Sequence, residues 1–233
     1  MNRKYFILPI FLISTVLFAQ ENSSFNPPYY LAMLPTDSIA FPSIYGDQSS
    51  RDSVYADAND FFVSEFSLEK YLLKKQTIDF LLRIDSSWQI RLTNDSIVNL
   101  KPEREYGISH YFFEHYYPDQ ELIVFKILQY EGGGYRLYNR KTGESIWTNA
   151  PPVFSPDFRY FICLSGDYGY LDNGIELYEI RGDRANLILS YDPGMAPLRV
   201  KWEDPSHLVL EMLNYSIMPR EYQHFRAEIK KNK

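Results

Sequence analysis

The segment HYFFEHYY (110–117) gathers two imidazoles, a carboxylate and three phenols within eight residues. On an extended chain, side chains alternate between faces. His110 and Glu114 then share a face, and His115 points the other way. If this strand lined a channel, His110 and Glu114 would meet a ligand, with Tyr111 and Tyr116 beside them to stack on a sugar ring. The two histidines lack the i, i+4 helical spacing of a zinc pair. A polar strand edge with tyrosines filling gaps between sheets accounts for the same residues. A second group, Asp167, Asp172 and Asn173, crowds the loop DYGYLDNG (167–174). Hard oxygen ligands of this kind hold Ca²⁺. The spacing is not that of an EF-hand loop, and Asp-Asn-Gly before a strand is also ordinary turn chemistry. His110, Tyr111, Glu114 and Tyr116 are therefore the candidate ligand-binding residues, and Asp167, Asp172 and Asn173 the candidate metal ligands.

Other chemistry-bearing motifs read as structure. EGGGY (131–135) is followed by YRLYN, a strand, and not by the helix that a phosphate cradle needs. Its glycines are expected to supply positive φ for a hairpin, as Gly143 does in NRKTGE (139–144). Ser165 lacks a Gly-x-Ser-x-Gly elbow. Cys163 sits in the apolar run YFICLS and reads as a small buried hydrophobe. Glu103, Glu105, Glu114 and Glu131 read as surface acids, from which a carboxylate pair for glycoside chemistry would have to come. With no cofactor motif, no cofactor is expected.

Most of the elements that carry these residues are short strands. YYLAML (29–34) and SIAFPSIY (38–45) form a first hairpin around a PTD turn. A helix is expected over 58–76, capped by Asn59 or Asp60, with Phe62, Phe66 and Leu73 on its apolar face and Leu72 beside it. Beyond it the chain falls into three sets of four strands. The first set is 80–84, 88–92, 96–100 and 110–117. The second is 121–130, 135–139, 145–148 and 152–155. The third is 159–165, 175–180, 187–191 and 198–202, and two more strands follow at 207–213 and 222–229. LIVFKIL is apolar on both alternating faces, as in a strand buried between stacked sheets.

Each set ends on an aromatic-led strand running into a turn: YYPD (116–119), FSPD (154–157) and WEDP (202–205). The leading residues Tyr116, Phe154 and Trp202 are 38 and 48 residues apart, the range of four-stranded propeller blades. PVFSPDFRYFICLS followed by GIELYEI resembles the repeat of TolB-type and related WD-like β-propellers, with Phe158 standing where glycine is usual. The resemblance covers about 80–213 and implies a fold, not an activity. Three sets do not close a ring, but the first hairpin and the last two strands sharing one sheet would make a fourth blade. The expected fold is mainly β, with propeller-like four-stranded antiparallel repeats and one N-terminal helix. A β-sandwich or open stacked sheets are the alternatives.

Composition bounds the rest. Aromatics make up 17% of the 233 residues, a surplus that favours strands. The formal net charge of −6, with no basic block, disfavours a nucleic-acid partner. One cysteine excludes a disulfide framework within the chain. Arg3 and Lys4 before the run FILPIFLISTVLF, with Ala19 as a cleavage point, read as a signal peptide over 1–19. Residues 20–57 then form the N-terminal segment and hairpin, and 77–233 the β-repeat domain. The expected protein is periplasmic or secreted, without stable membrane insertion once the signal is removed. It is expected to act as a non-catalytic binding module for a protein or glycan partner. The alternative is a carboxylate-dependent hydrolase of a glycan or peptide.

Overall fold

The computed structural model describes residues 29–41, 51–53, 61–102, 109–129, 132–166, 174–216 and 219–232. The described residues are mainly β and form four antiparallel sheets. The first holds β2 (Leu81–Ile84), β3 (Ser87–Arg91) and β4 (Ile97–Leu100). The second runs β5 (His110–Tyr117), β6 (Leu122–Gln129), β7 (Gly132–Asn139) and β8 (Ser145–Thr148). The third runs β9 (Val153–Phe154), β10 (Tyr160–Ser165), β11 (Gly174–Arg181) and β12 (Arg184–Tyr191). The fourth combines β13 (Ala196–Trp202), β14 (His207–Asn214) and β15 (Glu221–Lys231) with the N-terminal β1 (Tyr29–Thr36).

From residue 81 on, the strands fall close to where the sequence pattern puts them, except that β7 begins within the glycine run expected to form a turn, and the sets are framed one strand differently. β5, β9 and β13, expected to end their sets, each open the next sheet. The short turns after them are the cause. A tight turn commits a strand to pair with its successor, and residues 118–121, 155–159 and 203–206 are such turns. The β8–β9 link carries Pro151 and Pro152, which cannot extend a ladder. Within the turns, short polar side chains hold the backbone as expected. The Ser155 hydroxyl accepts from the Tyr160 amide at 3.0 Å, and Asp157 accepts from the Arg159 amide at 3.1 Å. Asp204 accepts from the amides of Ser206 and His207 at 2.8 and 2.9 Å.

β1 pairs with β15 along its whole length, so the chain ends do share a sheet. The second strand of the expected first hairpin is not found over residues 38–41, and 42–45 lie outside the described residues. Three apolar clusters stack the sheets in order. Ile123, Phe125 and Ile127 of β6 join Trp88 and Ile90 between the first and second sheets. Leu122 and Val124, on the other face of β6, join Phe161 and Tyr178 between the second and third. Tyr29, Leu177, Leu208 and Leu210 fill the space between the third and fourth.

Helix α1 (Phe61–Gln76) packs partly on the face expected: Leu73 meets the core with Leu72 beside it, whereas Phe66 does not go in, and the side chain of Phe62 lies outside the described residues. Leu68 and Leu72 are buried with Glu65 and Glu69, while Phe66 is 43% exposed. The two glutamates are taken into the interface because each has a cation there. Glu65 meets Lys126, and Glu69 meets Arg83 at 2.7 Å. The expected cap residues Asn59 and Asp60 lie outside the described residues.

Candidate functional site

The β5 group does not form an open ligand site. Tyr111 is 0% exposed and belongs to the core. Glu114, expected at the surface, is buried and pairs with Arg51 at 2.7 Å. Tyr116 donates its hydroxyl to Glu121, which also accepts from Arg140 at 2.7 Å. Burial, reinforced by the bond to Glu121, pushes the Tyr116 phenol up to about 12. His110 is half-buried, its ring 6.4 Å from that of Phe112.

A β-bulge between Phe113 and His115 also overturns the expected alternation. His110 opposes Leu128 and His115 opposes Val124. The two histidines therefore share a face, roughly 13 Å apart along the strand, too far to bind one ion. His115 is neutral for a local reason. Gln76 accepts from the Tyr116 amide through Oε1 at 2.9 Å, which leaves its Nε2 to donate to His115 Nδ1 at 3.4 Å. Burial, with Arg51 and Lys75 nearby, lowers the imidazole to about 4.

These residues secure an edge. β5 is the terminal strand of its sheet, and its outward backbone groups are met by side chains. Tyr111 O accepts from Arg83 and from Trp88 Nε1 at 2.7 and 3.0 Å. The amides of Phe113 and Tyr116 donate to Glu69 and Gln76 at 3.0 and 2.9 Å. Arg51 reaches Glu114 O at 3.3 Å. Burial pushes the Glu69 and Glu114 carboxyls up, against the pull of Arg83 and Arg51.

The other candidates sort quickly. Asp167, Asp172 and Asn173, with Glu103, Glu105 and Glu131, lie outside the described residues. Cys163 is buried and its thiol is pushed up by burial. Gly143 takes φ 76° as expected. Of the glycine run only Gly132 has positive φ. Gly133 and Gly134 are required by close approach instead: a Cβ would lie 2.3 Å from Ile127 O or 2.4 Å from the Trp147 ring. Asp204, Ser206 and His207 bring acid, hydroxyl and imidazole into one turn. Asp204 and Ser206 both bond Nδ1, at 2.8 and 3.2 Å. A nucleophile relay needs the serine on Nε2, so this trio is a turn and not a triad.

A concavity lies elsewhere, between the second and third sheets. It is a cleft of about 530 Å³ bounded by the β5–β6 turn, the β7–β8 hairpin, Phe158 and the β11–β12 hairpin. Its floor is apolar, with Leu122, Leu137, Ile146 and Ile180, and its rim is polar, with Asp119, Lys141, Asp183 and Arg184. Asn139 ties the two hairpins by donating to Asp183 O at 2.8 Å, and Arg184 meets Glu144 at 3.2 Å. Asp119, Glu144 and Asp183 are all water-exposed. Sequence reading missed this cleft because turns from two different sheets build it. The signals that were visible are the hairpin NRKTGE and the displacement of glycine by Phe158. In comparisons with known proteins, no family model matches the chain and no curated protein matches it.

Proposed function

We propose that the chain is an exported, non-catalytic binding module whose ligand occupies the cleft between the second and third sheets. One observation carries this reading: the cleft joins an apolar floor to a polar rim, the usual make-up of a ligand pocket. Among the described residues the buried carboxylates are each paired: Glu65 with Lys126, Glu69 with Arg83, Glu114 with Arg51, Glu179 with Arg181, and Glu211 with Arg199 and His224. Ring closure into a four-bladed propeller belongs to the same proposal. Its supports are the repeat-like sheets, the N-terminal strand completing the fourth sheet, and the resemblance of 152–180 to TolB-type repeats. Export rests on the basic and apolar N-terminus.

Ligand-observed NMR with a diverse set of small fragments tests the binding site. Fragments should bind the wild type and be displaced in Ala185→Trp, where the new ring fills the cleft. Equal binding by both proteins would remove the cleft from the reading. Chromogenic glycosides and peptidyl anilides should not be turned over. Turnover abolished by Asp119→Asn or Asp183→Asn would replace the binding module with the hydrolase.

A further inference from the structure

We infer that the cleft takes an extended peptide, which adds as a fifth strand along Arg184–Leu187 of β12 and sets an apolar side chain on the cleft floor. This rests on the cleft being the binding site. The terminal strands of the four sheets are β2 and β4, β5 and β8, β9 and β12, and β13 and β1. Exposed edges are templates for another chain, and natural sheets blunt them by shortness, proline or bulges. β2, β4 and β8 have four residues each and β9 has two, β1 and β13 carry Pro35 and Pro197, and β5 is met by side chains from α1, Arg51, Arg83 and Trp88. β12 has eight residues and no proline, and Leu187 on it is 50% exposed.

β12 does carry a bulge where its register with β11 shifts at Leu177/Tyr178, opposite Leu187–Leu189. That bulge limits the regular edge to its first half. Arg184, Ala185 and Asn186 in that half also line the cleft. A strand added there would turn alternate side chains toward Ile180, Leu137 and Ile146. This is strand addition, in which backbone bonds supply affinity and side-chain pockets supply specificity. A glycan would need flat aromatic platforms. Phe158, the aromatic side chain in the lining, is already packed against Phe154 and Tyr117 at 5.1 and 5.6 Å. Among the described residues the rim carboxylates Asp119 and Asp183 form no ion pair, whereas Glu144 has Arg184, and Lys141 is the one further cation on the lining. The favoured peptide therefore alternates apolar residues and carries Lys or Arg beside them.

Panning a phage-displayed library of random dodecapeptides on the full-length protein tests this. Enriched peptides should show apolar residues at alternate positions with a flanking Lys or Arg. A synthetic hit is then N-methylated on alternate residues, in the two possible phases. One phase should weaken binding by about tenfold or more, the scale of losing two net backbone hydrogen bonds, and the other should leave it nearly unchanged. Ala185→Trp and, as a second variant at an exposed position, Asn186→Trp should both weaken it. No enrichment, or binding indifferent to either methylation phase, overturns the inference. If fragments still occupy the cleft while no peptide does, only the peptide inference falls. If neither binds, the cleft reading falls as well.

Discussion

Phe158 holds a left-handed backbone conformation, φ 56°, at the position where the resembled repeat usually has glycine. An L-residue pays roughly 1–2 kcal/mol for that region. The Phe158 amide still closes the turn on Ser155 O at 2.9 Å, and the ring packs on Phe154 and Tyr117. The turn therefore forces the backbone, and the ring offsets part of the strain. Two truncations separate these effects, since both delete the ring and differ only in tolerance of positive φ. Phe158→Gly should be more stable than Phe158→Ala by about 1 kcal/mol in urea unfolding, reversing the usual order of the two residues. An alanine variant as stable as the glycine one would show that the backbone relaxes out of the left-handed region.

Among the elements, β5 and α1 illustrate how an edge strand is closed without another strand. The helix supplies Glu69 and Gln76 to the β5 amides, and Arg51, Arg83 and Trp88 supply donors to its carbonyls. This explains why α1 buries two glutamates. It also explains why apolar periodicity put Phe66 on the buried face and left out Glu65 and Glu69: apolar spacing does not register charges that are buried in pairs. Removing one partner of a buried pair strands the other and costs about 3–5 kcal/mol. Glu114→Ala should lower stability by about that amount in urea unfolding, because Arg51 then lacks its carboxylate. Replacing both, as Arg51→Met with Glu114→Leu, should recover most of the loss. Equal stability of Glu114→Ala and the wild type would mean that the pair contributes nothing.

At the scale of the molecule, the fourth sheet ties the two ends of the chain together. β1 contributes its ladder with β15 and the side chains of Tyr29, Leu31 and Met33 to the cluster between the third and fourth sheets. Burying a large apolar side chain stabilises by about 1.5–3 kcal/mol, so β1 carries a sizeable part of the roughly 5–15 kcal/mol typical of a folded domain. Deleting Tyr29–Thr36 should lower the melting temperature by about 10 °C or more, or abolish the cooperative transition. An unchanged melting curve would show that the fourth sheet stands without its N-terminal strand.

Strand positions were legible in residue order because alternation, aromatic content and turn residues are local signals. HYFFEHYY, GIELYEI and HLVLEML could be placed to within a residue or two, and the double apolar face of LIVFKIL correctly marked a strand between two sheets. Which strand opens a sheet was less legible, since it depends on comparing a tight turn on one side with a proline-broken link on the other. The bulge after Phe113 was not legible either, and it changed the face of His115. The fate of the candidate residues was decided only by folding. Glu114 is a buried ion pair because Arg51, far away in sequence, meets it. The cleft exists because hairpins from two sheets come to lie side by side. Local pattern determines what each segment becomes; packing between distant segments determines which polar groups are consumed and which are left to meet a ligand.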